Sequence, residues 1–131
     1  PVPLEHRGEV IRAQGEYLLF GSHNVDGMRK LIQFLQSDNY TFRRPPFDAV
    51  IAAFSKRDER DLRVLLRMLK SSNLGPVFIT RFDHPKAAGQ IMEEWAIQEG
   101  LDFVQDLTGQ LKQLQDQVSQ PRVLVTGSYY F

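Results

Sequence analysis

A layered α/β fold is what this sequence predicts: a mostly parallel, doubly wound sheet of about six strands, with helices on both faces. Three observations carry that expectation. Apolar runs of strand length alternate with helix-length segments in which apolar residues recur every three to four positions. One run, 48–54 (Asp-Ala-Val-Ile-Ala-Ala-Phe), is almost wholly apolar, as suits a central strand covered on both sides. Strands joined by single helices need right-handed crossovers, which make neighbouring strands parallel.

The elements follow in order. Segments 9–13 and 16–20 read as two strands around a tight turn at Gln14-Gly15, a candidate antiparallel edge. A helix follows over 24–36, with Met28, Leu31, Ile32 and Leu35 on one face. Asn24 suits its N-cap and Asp26 its first turn. Residues 37–46 are loop, closed by Pro45-Pro46. After the strand at 48–54, a charged stretch leads into a helix with Leu62, Leu65, Leu66 and Leu69 buried. Its Arg63, Arg67 and Lys70 share a face read as solvent-facing. Segment 76–80 is a strand. His84-Pro85 opens a third helix, with Ala88, Ile91, Met92 and Trp95 turned inward. Segment 101–104 is a short strand, the next helix aligns Leu107, Leu111, Leu114 and Val118, and 122–126 is the last strand.

Composition narrows the function. The 131 residues suit one domain over 1–131. Sixteen basic and sixteen acidic residues cancel, which gives no support to a broad nucleic-acid-binding face. With no cysteine there is no disulfide, thiolate metal site or cysteine nucleophile, and a reducing, cytoplasmic setting is expected. No apolar run approaches the roughly 20 residues that span a bilayer, and no signal-peptide pattern opens the chain. His6, His23 and His84 are scattered without ligand-spaced partners, so no metal site is expected.

The most informative stretch is 17–27, Tyr-Leu-Leu-Phe-Gly-Ser-His-Asn-Val-Asp-Gly. It reads as strand, loop and helix start. Such a helix end carries unpaired backbone N–H groups and a partial positive charge that suit a phosphate or carboxylate. In doubly wound sheets ligands sit beyond the carboxyl ends of the strands. Three polar loops are expected there, at 21–24, 55–58 and 127–128.

Three motifs then resemble the C-terminal domain of the Mur ligase superfamily, and within it folylpolyglutamate synthase, often bifunctional with dihydrofolate synthase. Members carry Pro-Gly-Arg-x-Glu-Val, then Asp-Gly-Ala-His-Asn-Pro-Asp-Gly before a helix, and Thr-Gly-Ser-x-Tyr near the end. Here the stretches read Glu5-His6-Arg7-Gly8-Glu9-Val10, Phe20-Gly21-Ser22-His23-Asn24-Val25-Asp26-Gly27 and Thr126-Gly127-Ser128-Tyr129-Tyr130. The resemblance covers essentially the whole chain in element order, and implies a Rossmann-like domain of a larger enzyme. That enzyme joins glutamate to a folate, using ATP with Mg to form an acyl phosphate. The phosphate-binding glycine loop and the metal ligands belong to a preceding ATPase domain. This chain has no Gly-x-x-x-x-Gly-Lys-Ser/Thr, so alone it is expected not to turn over.

Residue by residue, the resemblance makes Arg7 and His23 the catalytic pair at the ATP phosphates. Ser128, with Ser22 and Asn24, is then the substrate-binding set. A guanidinium fork suits phosphate oxygens, an imidazole can donate to phosphate or carboxylate near neutral pH, and a serine hydroxyl can hold an amino acid. Each also has a plainer reading: a solvated strand-end arginine, a histidine bonded within its loop, a serine capping a turn. Phe20 departs from the family. An aspartate there is read as accepting from the ATP ribose, and a phenyl ring cannot. The expected partners are an ATPase domain, glutamate, folate and ATP, with neither nucleic acid nor membrane. A non-catalytic anion- or protein-binding module that has lost ATP use is the alternative. A phospho-acceptor receiver domain fails, because the strand at 48–54 ends in Ser55 rather than an aspartate.

Overall fold

Short apolar runs, whose successive side chains turn to opposite faces, build the sheet, and period-3.6 stripes build the helices that cover it. The computed structural model describes residues 9–12, 16–21, 24–37, 46–54, 58–80 and 90–127. Among these residues there are six strands: β1 (Glu9–Arg12), β2 (Glu16–Gly21), β3 (Ala49–Ala53), β4 (Val77–Ile79), β5 (Asp102–Phe103) and β6 (Arg122–Gly127). The helices are α1 (Val25–Gln36), α2 (Glu59–Ser71), α3 (Gln90–Gln98) and α4 (Leu107–Gln117). Residues 81–89, on which the expected His84-Pro85 helix start falls, lie outside the described set.

The strand order is β1-β2-β6-β3-β4-β5. β1 pairs antiparallel with β2, and every other pairing is parallel. The last strand thus inserts between the second and third. Right-handed crossovers explain how the helices divide. The connections through α1, α2 and α3 run one way across the sheet and cover one face. The return through α4 covers the other.

The core records this split. On one face Leu18, Val50, Ala52, Ile79 and Leu124 pack with Met28, Leu31 and Leu35 of α1, Leu62, Leu65, Leu66 and Leu69 of α2, and Met92 and Ala96 of α3. On the other, Ala49, Ile51 and Val123 meet Leu107, Leu111 and Leu114 of α4. No residue of α4 is fully buried, so this second layer is thin. Trp95 packs at the edge of the larger core, as its place on the α3 stripe predicts.

Each of three helices starts on a side-chain cap. Asn24 accepts from the Gly27 N–H at 2.7 Å, Asp58 from the Asp61 N–H at 2.9 Å, and Asp106 from the Gly109 N–H at 3.0 Å. These satisfy backbone donors that the first turn leaves unpaired.

Arg67 and Lys70 are exposed, as expected, while Arg63 is half-buried, and all three have partners on the neighbouring segment. Arg63 reaches Glu99 at 3.1 Å and Arg67 reaches the other oxygen of the same carboxylate at 2.9 Å. Lys70 donates to the Gly100 carbonyl at 2.7 Å. Arg63 also bonds Gln98 and lies 5.8 Å over the Trp95 ring. Together they tie α2 to the carboxyl end of α3. The hydrogen bond from Arg67 is the largest influence holding the Glu99 pKa below the ordinary carboxylate value, with Arg63 adding to it against a desolvation penalty.

A group whose pKa is lower folded than unfolded adds stability above its unfolded pKa and loses it as pH falls through the folded one. Glu99→Gln is therefore expected to lower the urea midpoint near neutrality, and to lower it less as the pH falls through the depressed pKa of the folded Glu99. An equal loss across that pH range would mean that packing, not charge, holds this end of α3.

Candidate functional site at the carboxyl rim

Register places the strand ends. Gly21 of β2 is the Cα partner of Gly127 of β6, and Ala53 of β3 is the partner of the same glycine. The three strands therefore end in one row. With strands about 4.8 Å apart, the chain leaves Gly21, Gly127 and Ala53 within roughly 10 Å. These points open the loops expected at 21–24, 127–128 and 55–58. The described residues include Gly21, Asn24, Asp58 and Gly127, while Arg7, Ser22, His23 and Ser128 lie outside them.

Gly127 has a backbone reason to be glycine. Its φ of 118° lies where L side chains rarely go, and an added Cβ would run into the Ala53 carbonyl oxygen. Only a residue without Cβ lets β6 close against β3 at this level. Beside it Thr126 is wholly buried. Across β3, the Thr80 N–H donates to the Ala52 carbonyl at 2.9 Å, while the Thr80 hydroxyl donates to the Val104 carbonyl at 2.7 Å. The rim is thus fixed from β2 to β5.

Asn24 is exposed and extended (φ −136°), and its Oδ1 is engaged by the Gly27 N–H. What it can offer a ligand is its side-chain N–H2, as a donor. Asp26 sits in the same first turn and pairs with Lys30 at 3.2 Å and Arg29 at 3.5 Å. Its carboxylate offsets part of the positive helix end, and those two cations offset it in turn. Asp58 brings the start of α2 to the same rim.

Phe20 is half-buried, one residue inside the rim opposite Thr126. Its ring meets Phe34 of α1 edge-to-face, with centroids 6.0 Å apart at 63°, at the margin of the larger core. The side chain therefore joins β2 to α1. Phe34 itself is 45% exposed. Nothing in the local sequence marked this pair, because the two residues belong to different elements.

Among the described residues no group of three or more His, Cys, Asp or Glu side chains is placed to hold a metal ion. No helix among the described residues is long and apolar enough to cross a membrane.

No protein-family model and no curated protein matches the chain. Solved structures do. The folylpolyglutamate synthase of Thermotoga maritima matches 95% of this chain and 28% of its own, with 18% identity and a TM-score of 0.62. The bifunctional folylpolyglutamate synthase/dihydrofolate synthase of Yersinia pestis matches over the same shares, with 16% identity and a TM-score of 0.64. A bifunctional enzyme with Mn, AMPPNP and L-glutamate bound matches at 15% identity and a TM-score of 0.61. The chain spans between a quarter and a third of the length of these proteins. It thus has the fold of one part of the folylpolyglutamate synthases.

Proposed function

We propose that this chain is the C-terminal, Rossmann-like domain of an ATP-dependent amide-forming ligase of the folylpolyglutamate or dihydrofolate synthase kind. It closes over an ATP site carried by a partner ATPase domain, in the cytoplasm, and is inactive alone. The observation that carries the reading is the fold match across 95% of this chain to part of such enzymes. The common row of Gly21, Gly127 and Ala53 supports it by bringing together the chain ends that lead into the motif residues.

In this reaction the terminal phosphoryl group of ATP passes to a substrate carboxylate, giving an acyl phosphate and ADP. The amino group of glutamate then attacks the acyl carbon and phosphate leaves. Arg7 and His23 neutralise the charge on the phosphoryl group in transit. Ser128, Ser22 and the Asn24 amide hold the incoming amino acid. The contribution of this domain is positioning and fixed electrostatics. The Mg ligands lie on the partner domain. Joined to the missing part of a folylpolyglutamate synthase, the chain is expected to support glutamate addition that depends on ATP. Absence of turnover in a folded fusion would reject the proposal.

A second reading has a specific observation behind it: at the position of the family aspartate, the Phe20 ring is engaged with Phe34. On that reading the chain is a non-catalytic anion- or protein-binding module. Calorimetry with ATP–Mg and glutamate separates the two. The ligase reading expects binding by the natural chain and about a tenfold to hundredfold gain in ATP affinity in Phe20→Asp, from a regained charged hydrogen-bond partner. Binding by neither protein would favour the non-catalytic module.

A further inference from the structure

The thin layer under α4 leaves a cavity of about 240 Å³ between that helix and the sheet. Its lining starts at Asp48 and Pro76, just before β3 and β4, and reaches Ile51 and Phe78. The carboxyl rim at Ala53 lies two residues past Ile51, roughly 7 Å farther by strand rise, and none of the rim residues Gly21, Ala53 and Gly127 lines the cavity. It is therefore separate from the site proposed above, and the inference does not rest on the ligase reading.

The lining is chemically selective. Ala49 and Ile51, each 2% exposed, and the half-buried Phe78 ring form the floor. Leu111 and Leu114 form the wall. Gln110, Gln113 and Gln117 also line the space, at the three- and four-residue spacing that keeps them on one side of α4. Asp48 is the charged lining residue. Its Oδ2 accepts from the Arg122 N–H at 2.7 Å, and its other oxygen has capacity to accept again. Among the described residues no Lys or Arg lines the cavity, so a phosphate or carboxylate would face the Asp48 carboxylate.

An apolar floor with an aromatic ring suits a flat ring system, because any base presents a π-face to stack. Glutamine amides pair with the donor–acceptor edge of a purine, and a carboxylate accepts from an exocyclic amine. The volume falls below the roughly 300 Å³ at which drug-sized pockets begin, which limits the buried part to one or two fused rings. We propose that this cavity binds the base of an uncharged aminopurine nucleoside, with the ribose left outside.

The test is titration of the isotope-labelled whole chain with adenosine, guanosine, inosine and AMP, followed by NMR. Adenosine or guanosine is expected to give saturable shifts at Ala49, Ile51, Phe78, Leu111 and Leu114, and which of the two binds more tightly identifies the base. Inosine, which lacks the exocyclic amine, and AMP, which adds negative charge, are expected to bind about tenfold more weakly. Asp48→Asn keeps an acceptor for the Arg122 N–H and should erase the preference for the amine. Leu114→Phe fills the space from the wall and should abolish the shifts, with the amide spectrum showing that the fold is kept. Failure of both aminopurine nucleosides to saturate these signals overturns the proposal. So does equal binding of inosine, or binding that survives Leu114→Phe in a folded protein.

Discussion

In a fusion that restores ligase activity, His23→Ala is expected to cut kcat by about 10²–10³, the usual loss when one preorganised donor to a developing charge is removed. The proposed reaction puts the imidazole at the phosphoryl group in transit, where charge builds most. Its loss should therefore lower kcat and kcat/KM together. A rise in KM for glutamate at unchanged kcat would move His23 to the amino-acid side of the pocket. Full activity would take it out of the mechanism. Ser128→Ala supplies the contrast: a residue that holds the amino acid should show mainly in KM for glutamate.

The second large effect is on stability. Gly127→Ala is expected to destabilise the protein by roughly 2–5 kcal/mol, combining backbone strain at positive φ with forced overpacking. That is a large share of the 5–15 kcal/mol typical of a whole domain. The cause is specific: the added Cβ meets the Ala53 carbonyl, which belongs to the backbone of a buried strand and cannot swing aside. Gly100→Ala separates strain from collision. Gly100 also has positive φ (79°), yet its nearest obstacle is the end of the flexible Lys70 side chain. It should cost only the roughly 1–2 kcal/mol of a left-handed backbone. Urea midpoints measure both, and equal losses would show that the approach of β6 to β3 is not what requires glycine.

Much of the architecture was legible because it is written in local periodicity. The almost wholly apolar run at 48–54 became a strand buried on both faces, and Asn24 caps α1 as its residue type suggested. What stayed hidden depends on residues far apart in the chain. Arg63 and Arg67 look solvated when read along their own helix, since their acceptor Glu99 lies more than 30 positions away. The insertion of β6 between β2 and β3 likewise leaves no local mark, because a strand does not encode its neighbours. Asp106 before Leu107 was a readable cap that the periodicity argument passed over.

For the site, the sequence supplied the motif residues and the described structure supplies the frame that leads into them. Gly21 and Gly127 are more than 100 positions apart yet paired in register. Phe20 shows the limit of motif reading: the motif resemblance expects an aspartate at that position, whereas packing shows what the ring does there.

The proposed function requires the loops after β2 and β6 to form one half of a pocket for negatively charged reactants. Paramagnetic Mn–ATP added to the isotope-labelled chain tests it most directly, since even weak binding broadens nearby amide signals. Broadening of Gly21, Asn24 and Gly127 is expected ahead of all amides at the amino ends of the strands. Broadening centred instead on Ala49, Val77 and Arg122, the first residues of β3, β4 and β6, with Gly21 and Gly127 left sharp, would overturn it.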